Sequence, residues 1–221
     1  MSLVLAVDTT QEYGSLALVR GSETVEEVEL HAPGGFAHVL YPHLAELLAR
    51  HGVHVHDIDC FAAAAGPGSF TGVRVGLACV KGLAEALGRP AVAISNLQAL
   101  ACFGTRELRA VVLDARRGEV YGAVYDARQC LVSPETVGPF ERWLSGLPQD
   151  FEFVSPDFAP FRPALAGTRF AEAPVAGAPR ALAAAVGKLA AGRFAAGEAQ
   201  DPAALDANYV RRSDAELLWK E

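Results

Sequence analysis

The segment Gly66-Pro67-Gly68-Ser69-Phe70-Thr71-Gly72-Val73-Arg74-Val75-Gly76 constrains this chain more than any other stretch. An apolar run, residues 59–65, stops where the glycines begin, and a long helical pattern follows. Strand, glycine-rich turn and helix in that order belong to an α/β architecture. Gly66 and Gly68 reach backbone angles closed to other residues, and Pro67 stiffens the turn between them. Ser69 and Thr71 are both candidate N-caps. Neither phosphate-loop pattern is met. No Gly-Lys-Ser/Thr ending follows, and Gly72 comes four residues after Gly68 where a dinucleotide fingerprint needs three. A tight strand-to-helix connection accounts for the motif without a ligand.

The helix that follows, residues 72–87, carries charge only at Arg74, Lys81 and Glu85. Val73, Gly76, Leu77, Cys79, Val80, Leu83, Ala84 and Leu87 make an apolar arc wider than the roughly 100° stripe of a surface helix. Cover on two sides is expected, by the helix's own sheet and by a second body from the same chain or a partner. Gly72 and Gly76, one turn apart, are the expected points of close backbone approach.

Composition excludes several classes. The 221 residues are 51% hydrophobic, enough for one large or two small cores, and the formal net charge is −7. An acidic surface is a poor footprint for independent nucleic-acid binding. Arg116-Arg117 and Arg211-Arg212 are local exceptions whose default reading is solvated charge. Cys60, Cys79, Cys102 and Cys130 form no C-x-x-C pair, and nothing points to a disulfide framework or a zinc ribbon. The first residues lack a basic region and a long apolar run, so a signal peptide or a membrane span is not expected. A reducing cytoplasm is the expected compartment.

Strands are expected at 3–7, 15–19 and 24–30, and a helix at 37–51 kinked or restarted by Pro42. The glycine turn and its helix lead to a strand at 91–94 and a helix opened by Ser95. After Gly104 the layout begins again. Residues 109–114 form a strand ending in Asp114, as 3–7 end at Asp8, and 119–125 return as its hairpin partner. Such repetition indicates an internal duplication. Prolines and aromatics then make the second half irregular, an Ala-rich helix spans 179–194, and a short segment lies near 215–219. The expected domains are residues 1–104, carrying the interface helices, and 105–221, with a C-terminal tail free to pack back on the first.

Two α/β halves, each opening with an Asp-ended hairpin, point to a duplicated, two-lobed actin/hexokinase/Hsp70-like (ASKHA, ribonuclease H-like) fold. Its hairpin turns normally offer small residues so that backbone amides can reach phosphate. Here Gln11, Glu12 and Tyr13 fill the first turn, and Arg116 and Arg117 the second. The nucleotide site reads as degenerate.

Val7-Asp8-Thr9-Thr10, His38, the block 66–76, Lys81-Gly82-Leu83-Ala84, Asp114-Ala115-Arg116-Arg117-Gly118-Glu119-Val120-Tyr121 and Tyr209-Val210-Arg211 together resemble the bacterial TsaB (YeaZ) family. The extended first turn departs from that family's short hydroxyl-rich one. The resemblance implies a catalytically inactive relative of TsaD, the subunit that transfers threonylcarbamoyl to adenosine 37 of tRNA. It implies a scaffold that heterodimerises with TsaD, recruits TsaE, meets tRNA through the complex and homodimerises when alone. ATP and metal are expected in the partner subunits, with no catalytic, cofactor or metal residues in this chain. The implied interface lies on helices 37–51 and 72–87, with His38, Leu44, Leu48, Gly72, Gly76, Val80 and Leu83 as candidates. Independently, residues 95–100 contain no His or carboxylate where the active paralogue carries a His-rich metal motif. All six histidines precede residue 57. The rival readings are a glycopeptidase or protease using Ser69 with His38, and a small-molecule kinase. No Gly-x-Ser-x-Gly elbow frames Ser69, and the bulky turns oppose a kinase.

Overall fold

The computed structural model describes residues 1–211. It contains two compact units: Met1–Asn96 with Arg180–Asn208, and Leu97–Pro179 with the chain from Tyr209. The border expected at 104 therefore lies at Asn96. The Ala-rich helix expected in the second domain belongs to the first unit. The segment expected near 215–219 lies outside the described residues.

In the first unit the strands are β1 (Leu3–Asp8), β2 (Tyr13–Arg20), β3 (Glu23–His31), β4 (Cys60–Ala64) and β5 (Ala91–Ile94), in the order β3-β2-β1-β4-β5. The first three form an antiparallel meander, while β1, β4 and β5 run parallel. Every residue of β1 and β4 is buried, as expected of continuous apolar runs in a sheet covered on both faces. One face, with Leu5, Val7, Leu16, Leu18 and Phe61, packs against α1 (Leu40–Arg50) and α2 (Phe70–Leu87). The other face takes α5 (Ala183–Ala195), which packs on β1, β2 and β4. A Cβ on Gly187 would stand 2.6 Å from Val19 Cγ2 and 3.2 Å from the Cβ of Ala6, so glycine sets how closely this helix approaches. The Ser15 hydroxyl and Glu27 carboxylate accept from the amides of Leu182, Ala183 and Ala184 at the helix start.

Pro42 neither kinks nor restarts α1. The helix begins at Leu40, so Pro42 sits in its first turn, where no intrahelical amide is required.

The second unit repeats the plan. Strands β6 (Leu108–Asp114), β7 (Glu119–Asp126), β8 (Leu131–Pro139), β9 (Glu152–Ser155) and β10 (Val175–Gly177) lie in the order β8-β7-β6-β9-β10. That is the first unit's order position for position, so the inferred duplication is present in the topology. The prolines and aromatics fold into a core of Phe140, Phe151, Phe153, Phe158, Phe161 and Phe170 beside α4 (Phe140–Ser145). The entering chain is pinned from below. Arg109, only 7% exposed, donates to the carbonyls of Ala101 at 2.8 Å and Arg106 at 3.0 Å. Glu152 accepts from the amides of Thr105 and Arg106 and from the Thr105 hydroxyl. Among the described residues, no helix is long and apolar enough to cross a membrane.

Candidate functional site

Strand β1 delivers Asp8 to the start of the first turn, where Asp8, Thr9 and Thr10 are all buried. Asp8 Oδ1 accepts from the Thr10 amide at 2.9 Å and the Thr10 hydroxyl at 2.6 Å, while Oδ2 has no hydrogen-bond partner among the described residues. Burial pushes the Asp8 carboxyl pKa up, and the bonds from Thr10 oppose the shift in part. Asn96 opens α3 (Asn96–Ala101). Its Nδ2 donates to the Thr10 hydroxyl at 2.6 Å, its Oδ1 accepts from the Gly66 amide at 2.9 Å, and its own amide donates to the Gly66 carbonyl at 2.8 Å.

The glycine motif closes over this turn. The Ser69 amide donates to the Thr10 carbonyl at 2.7 Å, and the Thr9 hydroxyl donates to the Gly72 carbonyl at 2.7 Å. A Cβ on Gly68 would stand 2.5 Å from the Thr10 carbonyl oxygen, and one on Gly76 2.6 Å from the Thr9 hydroxyl. The glycines thus bring helix and turn into contact, and the amides of Thr10, Gly66 and Ser69 are spent inside the chain. Among the described residues, no three His, Cys, Asp or Glu side chains gather to hold a metal. Ser69 is the N-cap of α2, its hydroxyl accepting from the Gly72 amide.

These contacts show where the candidate interface residues lie within the unit. Gly72 and Gly76 face Thr9 of their own chain. Val80, Leu44 and Leu48 lie in the unit's core, Leu83 is half-buried, and His38 is exposed. The breadth of the apolar arc on α2 comes from double cover within the unit. The sheet lies on one side, and the segment Pro202–Ala204 packs against the helix, where Lys81 Nζ donates to the Leu205 carbonyl at 2.9 Å.

Outward, α2 presents Phe70, Thr71, Arg74, Ala78, Gly82, Glu85 and Ala86. Phe70 is 40% exposed with the Arg74 guanidinium 3.7 Å over its ring, and Tyr41 on α1 is 53% exposed. Small size hid this face from sequence reasoning, since alanine and glycine carry no polarity signal. Asn96 was missed as well. Its signal was an amide at the start of the short helix that follows β5.

A repeated β3-β2-β1-β4-β5 plan, with an Asp-ended first strand and a hairpin turn in each unit, defines the actin/hexokinase/Hsp70-like class. The activator of the 2-hydroxyisocaproyl-CoA dehydratase from Clostridium difficile shares the fold at a TM-score of 0.53 and 10% identity, over 89% of this chain and 97% of that one. The family described as "TsaD: tRNA N6-adenosine threonylcarbamoyltransferase" matches residues 32–191. TsaB of Escherichia coli is 32% identical over 157 residues, 65% of this chain and 68% of that protein. TsaB of Haemophilus influenzae is 40% identical over 122 residues, 53% of this chain and about half (51%) of that protein's length. YeaZ from Pseudomonas aeruginosa superposes with a TM-score of 0.76 at 30% identity, over 95% of this chain and 100% of that one. The chain belongs to the TsaB/YeaZ family.

Proposed function

We propose that the chain acts in the biosynthesis of threonylcarbamoyladenosine in tRNA as a non-catalytic scaffold. In this reading it heterodimerises with TsaD, recruits TsaE, and so serves modification of adenosine 37 in tRNAs that read ANN codons. The named TsaB relatives support the pathway. The observation that supports the scaffold reading is the cross-linked first turn: Thr10, Asn96 and Ser69 are bonded to Asp8 and to one another across it. ATP and metal then belong to the partner subunits, the compartment is the cytoplasm, and the chain pairs with itself when alone.

The outward face of α1 and α2, from Tyr41 to Phe70, Arg74 and Ala78, is the docking surface in this reading, in place of the core residues first expected. Its low charge and its exposed aromatics suit a helix-to-helix contact.

The test mixes the full chain with the cognate TsaD and TsaE, ATP, threonine-derived substrate and unmodified tRNA. A 1:1 complex with TsaD and modification that requires this chain are expected. Ala78→Arg should keep the fold by circular dichroism and abolish the complex by light scattering. ATP hydrolysis or threonylcarbamoyl transfer by the chain alone overturns the non-catalytic part, and modification without the chain overturns the whole.

A further inference from the structure

Glu12 and Tyr13 belong to the extension by which the first turn departs from its family. Their side chains turn to the end of β3, where Tyr13 faces His31 in the β2–β3 register. The two rings stack with centroids 4.4 Å apart and planes 11° from parallel. The Arg180 guanidinium lies 4.6 Å from the centroid of Tyr13. Two groups that close to one ring centroid must take its two faces. The order is therefore Arg180, Tyr13, His31, a ladder of three planar groups. His31 Nε2 donates to Glu12 Oε1 at 3.1 Å, which holds the imidazole by its edge.

The ladder is open at its His31 end. One face of the imidazole lies on Tyr13, yet 49% of the side chain is exposed, so the open part is the outer face and rim. Glu12, 55% exposed, stands at that rim. Glu29, two residues before His31, shares its face of β3 and is exposed. An aromatic plane fixed from below and at its edge, with carboxylates beside it, suits a planar cation. Arg180 shows that chemistry at the other end, where a guanidinium already lies on Tyr13. The carboxylates and the net charge of −7 repel phosphate, which disfavours a stacked base of an RNA strand. Ser15 and Glu27, which hold the start of α5, alternate with Tyr13 and His31 onto the same face of the sheet. The ladder thus lies on the α5 side, and α1 and α2 cover the other.

We infer that the outer face of His31, with Glu12 beside it, is a docking point for an arginine side chain of a protein partner. The inference rests on the scaffold reading above, since a scaffold that seats TsaD on α1 and α2 needs a second surface for a second protein. Guanidinium suits the site better than ammonium. It is planar, stacks on a ring face, and presents paired donors to a carboxylate. Complementary charge between an acidic hairpin and a basic side chain sets the register of such a contact more than its strength.

The experiment titrates the full chain, its histidine and tyrosine rings isotope-labelled, with N-acetyl-arginine amide in slightly alkaline buffer of low salt, and follows the ring resonances by NMR. Saturable shifts are expected at His31 and Tyr13, with the lysine counterpart binding about threefold more weakly. Glu12→Gln, at an exposed edge, should keep the fold and weaken the arginine probe about threefold, as expected for one exposed charge pair. His31→Val keeps a strand former in β3 and should abolish the shift at Tyr13. Glu23→Gln removes the same charge at the far end of β3 and should leave binding unchanged. Equal affinity for the lysine probe, equal losses in Glu12→Gln and Glu23→Gln, or no saturable shift overturns the inference. So does tighter binding of adenosine monophosphate, which marks a nucleotide as the ligand. A His31 shift that follows chain concentration alone overturns it too, because it marks a second copy of this chain. In the mixture with TsaD, TsaE, ATP and tRNA, Glu12→Gln/His31→Val should keep the 1:1 TsaD complex by light scattering and lower modification about threefold. Modification that depends on the wild-type chain but is indifferent to this double variant overturns the inference alone. Arginine-specific shifts in a chain on which modification does not depend support it and overturn the scaffold reading.

Discussion

A β-carbon built on Gly72 stands 2.0 Å from the carbonyl oxygen of Thr9. No real contact is that short, and the atom in the way is backbone. Gly72→Ala must therefore push α2 off the first turn, with a cost of about 3 kcal/mol expected from overpacking. Gly82, ten residues along the same helix, meets nothing within 4 Å. Gly82→Ala should stabilise by about 0.5–1 kcal/mol, because the unfolded chain loses freedom and the helix gains a better former. Urea titration of the two variants checks the opposite signs.

Asp8 sets a pH dependence. Its carboxyl pKa lies above the ordinary 3.8, chiefly through burial. Above pH 3.8 the unfolded chain releases this proton while the folded one keeps it, so Asp8 takes stability away as pH rises toward its folded value. Asp8→Asn keeps an oxygen to accept both Thr10 bonds and removes the titration. Its stability relative to the parent should rise with pH from about 4 upward and then level off. Melting curves at several pH values check this, and a variant whose stability relative to the parent falls with pH would contradict the assignment.

Glu152 is 3% exposed and holds the amides of Thr105 and Arg106. Glu152→Gln keeps an oxygen for the two amides but removes the negative charge that strengthens those bonds, so a loss of about 1–2 kcal/mol is expected. Amide exchange at Thr105 and Arg106 should quicken more than exchange in β1, which separates a local release from global softening.

Three of the four thiols should separate cleanly. Burial pushes Cys60 up to about 12 and Cys79 up to about 11, whereas Cys130 is exposed. With iodoacetamide at about pH 8, Cys130 should alkylate first, and Cys60 and Cys79 only after denaturation, since the thiolate is the reacting form. Peptide mass mapping before and after urea gives the order.

The first unit was legible because its signals are local. Strands such as Leu3–Asp8 are unbroken apolar runs, and the glycine motif marks its own turn. The partner of α5 was not legible. Its contact with β1 and β2 runs through Gly187, Ala6 and Val19, small residues that encode no direction. Strands β8 to β10 were missed for other reasons. Pro134 and Pro139 interrupt β8, an edge strand with exposed Leu131 and Val132, while β10 has only three residues. In the site, the motif's position was readable and its facing was not. Gly72 and Gly76 look alike whether a partner or Thr9 fills the space above them.

The first unit is sewn from two stretches of chain, and that has a consequence at the ribosome. When Asn96 emerges, all five strands of the first sheet exist, but the helix that covers Ala6 and Val19 does not. Synthesis must run through the whole second sheet before Ala183–Ala195 appears. At roughly 5–20 residues per second that wait is on the order of ten seconds. For that time a nascent apolar sheet face stays wet, so the youngest form of this protein is the one most in need of a chaperone.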